Sequence, residues 1–566
     1  MRSGNTYLKA AAIAILGILA LRFINNFVVS LLTFDGSGIL KLVSSIVVYL
    51  GGILILLFWI LKVLKKKPGP PQKNTDHGSA EWATPEQIKA AGIDTTDQGL
   101  WLGDFYRRTK QGHLITIAGS GAGKNACLII PNLLVNPFGS YVVTDPKGEN
   151  ACITARAQKE SGQKVYILDP WKQQERIGAR HGIKSSGFNP FDFIKADPDE
   201  LRDNCELVAS YIVPDKPNSK EPFWDERART LIKTCLMHIV TALPKEEHNF
   251  WTLYKMIRVS GDNWLGLLAD LKLNDACDGL ISIAAEEFIG MDQNGPTISG
   301  IRSNAQNATA IFESPQLRSS MEHSDFDPYT LSQGNSTVYV VIPERYLETH
   351  AAWLRLVIGL SLKAVNSRPN KRVNFLMDEF AVLGKMKDVQ NAFAFSRGQN
   401  VSIWAFAQSL SQLKEIYHEE GMNNFLANAA VFQAFGVKDQ YTKEYVSKWL
   451  GDATYIKATQ TVGTSSNRNQ GGSSNGTSQG TSYSSFGRNL LTPEEIEKTP
   501  IIITITEGIK FPIKKMGYWE NRFDGMDWRD KRLDEENRKL LKAGKVPPDL
   551  REIFAQRADP RPMELV

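Results

Sequence analysis

The sequence predicts an α/β fold: a mostly parallel sheet covered by helices, interrupted by an inserted all-α region and preceded by two membrane-spanning helices. Three observations lead to this fold class. From Leu114 onward, short β-branched apolar runs alternate with helical patterns, as in parallel sheets covered on both faces. Between about 196 and 320 only helical patterns occur. Near the N-terminus lies an uncharged apolar run long enough to cross a bilayer.

Length and composition allow several domains and exclude little. The chain has 566 residues, 42% of them hydrophobic and 22% charged, which is ordinary for a globular protein with some membrane sequence. A net charge of +5 is weak for this size, so composition does not identify a nucleic-acid binder. The five cysteines form no C-x-x-C pair and the eight histidines show no metal-ligand spacing. We therefore expect free thiols in a reducing compartment and no structural metal.

The N-terminal region predicts a two-helix membrane anchor, with spans at about 8–32 and 40–62. Leu42–Leu61 is apolar on every face, and the lysines that follow it mark the cytoplasmic side. The first span is interrupted by polar residues, namely Arg22, Asn25 and Asn26. A signal peptide has a similar apolar core, but no small-x-small cleavage site follows here. We favour a helical hairpin, which leaves both chain ends in the cytoplasm.

The stretch Leu114–Leu134 predicts a strand, a glycine-rich turn and a helix. Glycines let the backbone curl so that several N–H groups point at one anion, and the helix adds its positive end. Lys124 supplies a charge for the β- and γ-phosphates of a nucleotide. The predicted ATP-binding loop consists of Gly119, Ser120, Gly121, Ala122, Gly123, Lys124 and Asn125.

This loop departs at two positions from the pattern G-x-x-x-x-G-K-[ST]. Ala118 stands where the first glycine is expected, and Asn125 replaces the Ser or Thr whose hydroxyl binds Mg²⁺. An amide carbonyl is also an oxygen donor, so Asn125 remains a candidate Mg²⁺ ligand, although a longer one. The alternative interpretation is a glycine-rich strand–helix turn with a capping lysine.

Two acids follow a buried strand far downstream. Val373–Met377 is wholly apolar apart from one asparagine and ends in Asp378 and Glu379. In a nucleotide-hydrolysing site, the first acid holds Mg²⁺ and the second orients and deprotonates the attacking water. With a phosphate loop upstream in the same sheet, these acids predict ATP binding and hydrolysis by a P-loop NTPase of the RecA-like kind.

Two further polar residues are candidates with open alternatives. Gln408 follows the strand Ser402–Ala407. It either senses the γ-phosphate or positions water, or else it is a helix cap or a solvated strand end. Arg397 either reaches a neighbouring subunit's nucleotide as an arginine finger or is a surface arginine. The sequence shows no catalytic triad, and it lacks the adjacent basic and aromatic residues expected of a groove for single strands.

The remaining segments complete the predicted domain organisation. The region 457–488 is rich in Ser, Gly, Asn, Thr and Gln and buries too little apolar surface to order itself, so we expect a flexible loop. The predicted divisions are the anchor (1–67), a linker and leading segment (68–112), the P-loop domain (113–195 and 330–525), the all-α insertion (196–320), the flexible loop (457–488) and a charged C-terminal tail (526–566).

This order of features resembles the TraG/TraD-type coupling proteins of type IV secretion, ATPases that deliver substrates to conjugation and effector-secretion channels. The resemblance covers most of the chain. The segments that carry it are HGSAEWAT, IIPNLL, TDPKGE, FNPFD, FWDERAR, VYVVIP, LMDEF and LLTPEEI.

The resemblance implies that Gly123 and Lys124 bind phosphate and that Asp378 and Glu379 bind Mg²⁺ and activate water. It also implies a homo-hexamer at the bacterial inner membrane, with the helical insertion recognising cargo in the cytoplasm. The implied partners are a relaxase bound to single-stranded DNA, effector proteins and inner-membrane components of the secretion channel.

Three functions remain open at this point. The leading one is a membrane-anchored motor that couples ATP hydrolysis to substrate transfer. The second is a docking receptor that binds nucleotide in order to assemble and does no mechanical work. The third is a chromosome-partitioning translocase of the FtsK kind, although the tail after Met526 is short for a DNA-reading domain.

Overall fold

The structure is a computed structural model. It describes residues 22, 29, 75–94, 98–135, 137–179, 181–195, 198–215, 221–292, 295–368, 371–469, 472–519, 539–540 and 543–545. The chain divides into two compact units, Met1–Asp76 and His77–Val566. Apart from Arg22 and Val29, the predicted spans at 8–32 and 40–62 lie outside the described residues, as does most of the predicted tail. Among the helices that the structure describes, none combines the length and apolarity needed to cross a membrane.

A mostly parallel sheet forms the centre of the second unit. Its nine described strands have the order β14-β13-β10-β4-β9-β8-β5-β7-β6, and the seven from β10 to β6 are parallel. Only β13 and β14 add antiparallel pairs at one edge. The strands are β4 (His113–Ala118), β5 (Ser140–Asp145), β6 (Lys164–Leu168), β7 (Ser336–Val341), β8 (Val373–Met377), β9 (Val401–Ala407), β10 (Ala429–Phe435), β13 (Ile501–Thr506) and β14 (Ile509–Lys514).

Helices cover this sheet, and a group of consecutive helices fills the region between β6 and β7. The α-helices of the described chain are α1 (Pro85–Ala90), α2 (Ile130–Leu134), α3 (Glu149–Glu160), α4 (Gln173–Arg176), α5 (Pro190–Ile194), α6 (Leu201–Ile212), α7 (Pro222–Ala242), α8 (Phe250–Arg258), α9 (Asp262–Lys272), α10 (Leu280–Asp292), α11 (Gly295–Thr309), α12 (Pro315–Ser320), α13 (Ala351–Asn366), α14 (Lys387–Phe395), α15 (Leu410–Asn428), α16 (Gln440–Leu450) and α17 (Pro493–Lys498). From α6 to α12 no strand intervenes among the described residues, as the helical patterns predict.

The hydrophobic core explains why the central strands read as continuous apolar runs. All residues of β4, β5, β7, β8 and β9 are buried, because helices pack on both faces of the sheet. The core is in two layers, one containing Ile115 and Ile117 and the other Leu114 and Ala118, so alternate residues of β4 face opposite sides. The phosphate-loop strand is thereby fixed from both sides.

Three features differ from the sequence-based expectations. The region expected to be a flexible loop, 457–488, lies within a long antiparallel hairpin of β11 (Asp452–Asn469) and β12 (Gly472–Asn489). Backbone pairing needs no apolar side chains, so composition did not reveal it. A small antiparallel sheet, β1-β3-β2, precedes β4, with strands at Ile93–Asp94, Tyr106–Arg108 and Leu100–Gly103. The edge strand β14 was also missed, because it contains an exposed Pro512.

Candidate nucleotide-binding site

The phosphate loop follows β4 at the carboxyl end of the parallel strands. Gly121 and Gly123 have φ angles of +72° and +93°, which only glycine adopts without strain. The Ala122 amide donates to the Gly119 carbonyl at 3.0 Å, which closes the turn. A Cβ atom on Gly119 would lie 2.2 Å from the carbonyl oxygen of Gly436, so that residue must be glycine. The predicted loop therefore has the tight backbone that an anion site requires.

The helix after the loop begins with a π-helical turn, Asn125–Ile129, before α2. Pro131 lacks an N–H group and cannot donate to the carbonyl of Cys127, four residues earlier. That carbonyl instead accepts a hydrogen bond from the indole of Trp101 at 3.1 Å. The Asn132 amide bonds both the N–H and the C=O of Trp101, at 2.8 and 2.9 Å. The small N-terminal sheet thus supports the loop helix through one buried tryptophan.

The structure brings the two predicted acids to Lys124. The Lys124 Nζ atom lies 3.1 Å from Oδ1 of Asp378 and also pairs with Oε1 of Glu379. The contact follows from strand order, since β9 alone separates β4 from β8 and all three end at the same edge. Glu379 has a left-handed backbone (φ +55°, ψ +50°), an unfavourable conformation for a residue with a Cβ atom. This backbone sets the direction of its side chain.

Gln408 joins the group formed by Lys124, Asp378 and Glu379. Gln408 follows β9 and donates from Nε2 to Oε2 of Glu379 at 3.1 Å. The helix-cap alternative is not supported, because the N-cap of α15 is Ser409, whose side chain accepts from the Gln412 amide. Arg397 lies in the 3-10 turn Ser396–Gln399, and its side chain is outside the described part of the chain.

Burial and charge act in opposite directions on these groups. Desolvation opposes the charge on Lys124, but Asp378 and Glu379 outweigh it and raise the pKa of the amine. Burial raises the pKa of Asp378, although Lys124 and a hydrogen bond from the Asn125 side chain oppose the shift. The two directions are compatible, since Lys124 faces two carboxylates whereas Asp378 is more deeply buried. One lysine therefore compensates the two acids only in part.

The residues present suit a divalent cation. The Asn125 side chain lies against Asp378, and its buried Oδ1 atom has no hydrogen-bond partner among the described residues. An amide oxygen and a carboxylate are both hard oxygen ligands of the kind that Mg²⁺ takes. A cation would give the Oδ1 atom of Asn125 a partner and would compensate the remaining charge of Asp378.

Three contributing residues were missed by the sequence analysis. Gly436 packs against the loop backbone, and a Cβ atom there would lie 2.6 Å from that of Ala122. Thr144, at the end of β5, donates its hydroxyl to the Asp378 carbonyl at 2.8 Å. Burial raises the pKa of the neighbouring Asp145 to about 7, opposed by amide donors that include Ala151 N–H. Their sequence signals are a position at or directly after the end of an apolar strand and, for Thr144 and Asp145, the segment TDPKGE.

The turn that follows the acids is held by a buried arginine. Arg355, in α13, donates to the carbonyl of Leu383 at 3.4 Å and to that of Tyr211 at 2.8 Å. Tyr211 belongs to α6, the first α-helix of the helical group at 196–320, and its hydroxyl donates to Asp388 at 2.8 Å. Burial lowers the pKa of Arg355 to about 10. The helical group is therefore in direct contact with the segment that follows Glu379.

A family model matches most of the chain. Residues 72–541 match the model described as Type IV secretory system Conjugative DNA transfer. Among curated relatives, a VirD4 protein of Rhizobium radiobacter is 26% identical over 429 residues, covering 72% of this chain and 60% of that protein. A TraG conjugal transfer protein of Escherichia coli is 24% identical over 473 residues, covering 75% of this chain and 71% of that protein.

Solved structures of a conjugative coupling protein share the fold. The unbound TrwBdeltaN70 structure has a TM-score of 0.57 at 16% identity, and covers 79% of this chain and 96% of that one. TrwB with the ATP analogue ADPNP has a TM-score of 0.56 at 16% identity, and the match covers 79% of this chain and 96% of that one. TrwB with ADP and Mg²⁺ has a TM-score of 0.57 at 15% identity, and the match covers 79% of this chain and 95% of that one. The fold of this chain, with its mostly parallel central sheet, is therefore the one that these coupling-protein structures have.

Proposed function

The chain belongs to the Type IV secretory system conjugative DNA-transfer family, as the resemblance to TraG/TraD-type coupling proteins predicts, and we propose that it is the coupling ATPase of such a system. In this role it recruits cargo and delivers it to a secretion channel using ATP. The observation that carries the proposal is the meeting of the Lys124 amine with the carboxylates of Asp378 and Glu379 beside a phosphate loop.

Each site residue has a chemical role in the proposed reaction. The backbone N–H groups of 119–123 bind the phosphates, and Lys124 exchanges its carboxylate partners for the β- and γ-phosphate oxygens. Asp378 and Asn125 hold Mg²⁺, which when bound neutralises charge that develops between those phosphates. Glu379 accepts the proton of the attacking water while Gln408 fixes the carboxylate from its other side. The nucleotides and Mg²⁺ named in the TrwB structures support this assignment.

The contacts around Arg355 support coupling between cargo and hydrolysis. A displacement of α6 shifts the Tyr211 carbonyl, and Arg355 bonds both that carbonyl and the one of Leu383. A second link is ionic: Asp215, just after α6, pairs with Lys387 of α14 at 2.7 Å and with Arg229 of α7 at 2.6 Å. Movement in the helical group therefore has a physical route to the turn after Glu379.

The helical group 196–320 is the proposed cargo-recognition domain. It carries a cluster of basic and aromatic residues. The sequence analysis did not identify this cluster, because its members come from two helices, α8 and α12, that are distant in the sequence. Trp251 and Tyr254 are stacked 4.8 Å apart, with Arg318 4.0 Å from the Trp251 ring centre and Arg258 3.6 Å from that of Tyr254. Such groups suit contact with nucleic acid or with an acidic protein surface.

The assembly and the location are proposed on the resemblance and on the N-terminal sequence. We propose a homo-hexamer anchored in the bacterial inner membrane by the two N-terminal apolar segments, at about 8–32 and 40–62, with both chain ends in the cytoplasm. Arg397 is the proposed arginine finger, acting on the nucleotide of a neighbouring subunit. The proposed cargo is a relaxase bound to single-stranded DNA, effector proteins or both, and inner-membrane channel components receive it.

Steady-state ATP hydrolysis by the purified chain, with and without single-stranded DNA, tests the proposal. We expect turnover that DNA stimulates and that Lys124→Ala abolishes together with nucleotide binding. Lys414→Ala is the matched control, since Lys414 also pairs with a glutamate, Glu419, at 2.9 Å but lies on α15 away from the loop. Absence of turnover where hexamers form contradicts a motor and favours the docking receptor. Stimulation by duplex DNA alone favours the FtsK-like alternative.

The cargo itself is identified by crosslinking in cells. A photo-reactive residue at position 251 is expected to capture DNA or a secreted protein, whereas the same residue at position 483 on β12 is not. If no crosslink forms at either position, the assignment of cargo recognition to the helical group is contradicted.

A further inference from the structure

The segment 515–519 contacts residues beside both ends of the phosphate loop. Lys515 lies over the ring of Phe435, 5.1 Å from its centre. Phe435 is the last residue of β10 and pairs in register with Ala118, directly before the loop. At the other end, the Tyr518 amide donates to the carbonyl of Ala126 at 2.9 Å, in the first helical turn after Lys124. The segment is therefore fixed to both flanks of the loop.

Trp519 ends this segment with its side chain in solvent. The residue is 57% exposed, although a buried tyrosine precedes it. The two rings meet edge to face, 5.3 Å apart and 69° from parallel. A Cβ atom at Gly517 would lie 2.5 Å from the Trp519 ring, so the indole lies directly across that glycine. Among the described residues, Tyr518 and Gly517 set the position of the indole, which belongs to neither layer of the core.

Strand order gives the direction in which a bound nucleotide extends. The groups that take the γ-phosphate end, namely Asp378, Glu379 and Gln408, follow β8 and β9 on one side of β4. The sugar and base must then leave the loop on the other side of β4, toward β10, β13 and β14. Segment 515–519 follows β14 and lies on that side. The exposed indole is therefore next to the end of the loop where a nucleobase emerges.

Resting on the proposed function, we propose that Trp519 is the nucleobase platform of this site, stacking its indole on the base of the bound nucleotide. Gly517 leaves room for the ring, and the bond from Tyr518 to Ala126 holds the platform against the loop helix. Base stacking uses the π face that every base has, so the platform strengthens binding without selecting one base. The platform contributes to binding of the nucleoside part of the ligand and not to binding of the phosphates.

The distinguishing probe is a pair of ligands, ATP and inorganic tripolyphosphate, each with Mg²⁺. Affinities are measured by calorimetry on the full chain. We expect Trp519→Ala to weaken ATP and GTP each by about tenfold and to leave tripolyphosphate unchanged, whereas Trp519→Phe recovers most of the loss. Tyr483→Ala, at an aromatic residue that is 71% exposed on the hairpin, is the matched control and should change nothing.

The outcomes separate this inference from the proposed function. An ATP affinity within twofold of wild type in Trp519→Ala overturns the platform and leaves the coupling ATPase intact. Equal weakening of ATP and tripolyphosphate also overturns it, because the residue then supports the loop rather than the base. A wild-type chain that binds neither ligand contradicts the proposed function, and the platform with it.

Discussion

Gln408 donates a hydrogen bond from its Nε2 atom to Oε2 of Glu379 at 3.1 Å. The other carboxylate oxygen, Oε1, accepts from Lys124. Glu379 is thus held from both sides by residues that follow the neighbouring strands β9 and β4. A carboxylate with so defined an orientation suits a general base, because proton transfer requires the acceptor within hydrogen-bond reach of the water.

Replacing Glu379 with glutamine should separate binding from hydrolysis. The amide has nearly the same shape, but it is neutral and cannot take the proton of the attacking water. We expect Glu379→Gln to keep ATP affinity within a few-fold of wild type and to lower kcat by about 100-fold or more. Calorimetry and steady-state hydrolysis measure the two quantities on the same sample. Full ATPase activity in this variant would remove the base assignment.

Replacing Asn125 should change the dependence on Mg²⁺. Its Oδ1 atom is buried without a hydrogen-bond partner among the described residues. We expect Asn125→Ala to raise the Mg²⁺ concentration for half-maximal ATP hydrolysis by about tenfold, in the range found when groups that support a metal are removed. Asn125→Thr restores an oxygen ligand at this position and should behave as wild type or better. Identical Mg²⁺ titrations for wild type and Asn125→Ala would refute the ligand role.

A methyl group on Gly436 should damage the phosphate loop. The added Cβ atom would lie 2.6 Å from that of Ala122, and the backbone φ of +58° disfavours alanine by about 1–2 kcal/mol. We expect Gly436→Ala to lower ATP affinity by about tenfold or more, since the loop must shift to relieve the contact. Gly508→Ala is the matched control: its φ is +81°, but the new Cβ atom meets open space.

Both glycine variants should lose thermal stability, because both force a left-handed alanine. Only Gly436→Ala should lose nucleotide affinity, and equal affinity losses in the two variants would argue against a specific contact between Gly436 and the loop.

Asp145 should make stability fall as the pH rises. Burial raises its pKa to about 7 from the ordinary value of 3.8, so between these values the folded state holds a proton that the unfolded state has lost. The contribution of Asp145 to stability is therefore greatest below about pH 4 and is lost as the pH rises toward 7. Asp145→Asn cannot titrate and keeps an acceptor for the Ala151 amide. We expect the free energy of unfolding of Asp145→Asn, relative to that of wild type, to increase by about 2–4 kcal/mol from pH 4 to pH 7.

Denaturant unfolding at several pH values, followed by tryptophan fluorescence, measures this difference. The gap between variant and wild type should stop growing above about pH 7. Parallel pH profiles for the two proteins would show that Asp145 is not protonated in the folded chain.

The sequence by itself determined the elements whose burial is local in origin. Parallel strands covered on both faces read as continuous apolar runs, so Val373–Met377 and its two terminal acids were identified without the structure. Glycine spacing likewise identified the loop at 119–123, because a backbone that curls around an anion needs residues without a Cβ atom.

Tertiary structure alone decided which distant residues meet. The register of β10 against β4 brings Gly436 to Gly119, and the segment after the edge strand β14 brings Tyr518 to the helix that follows the loop. Strand order also brings Gln408 to the Glu379 carboxylate, whose other oxygen pairs with Lys124. Hydrophobic periodicity reports that a strand is buried but not which strand lies beside it, since neighbours in a sheet are chosen by packing across the whole domain.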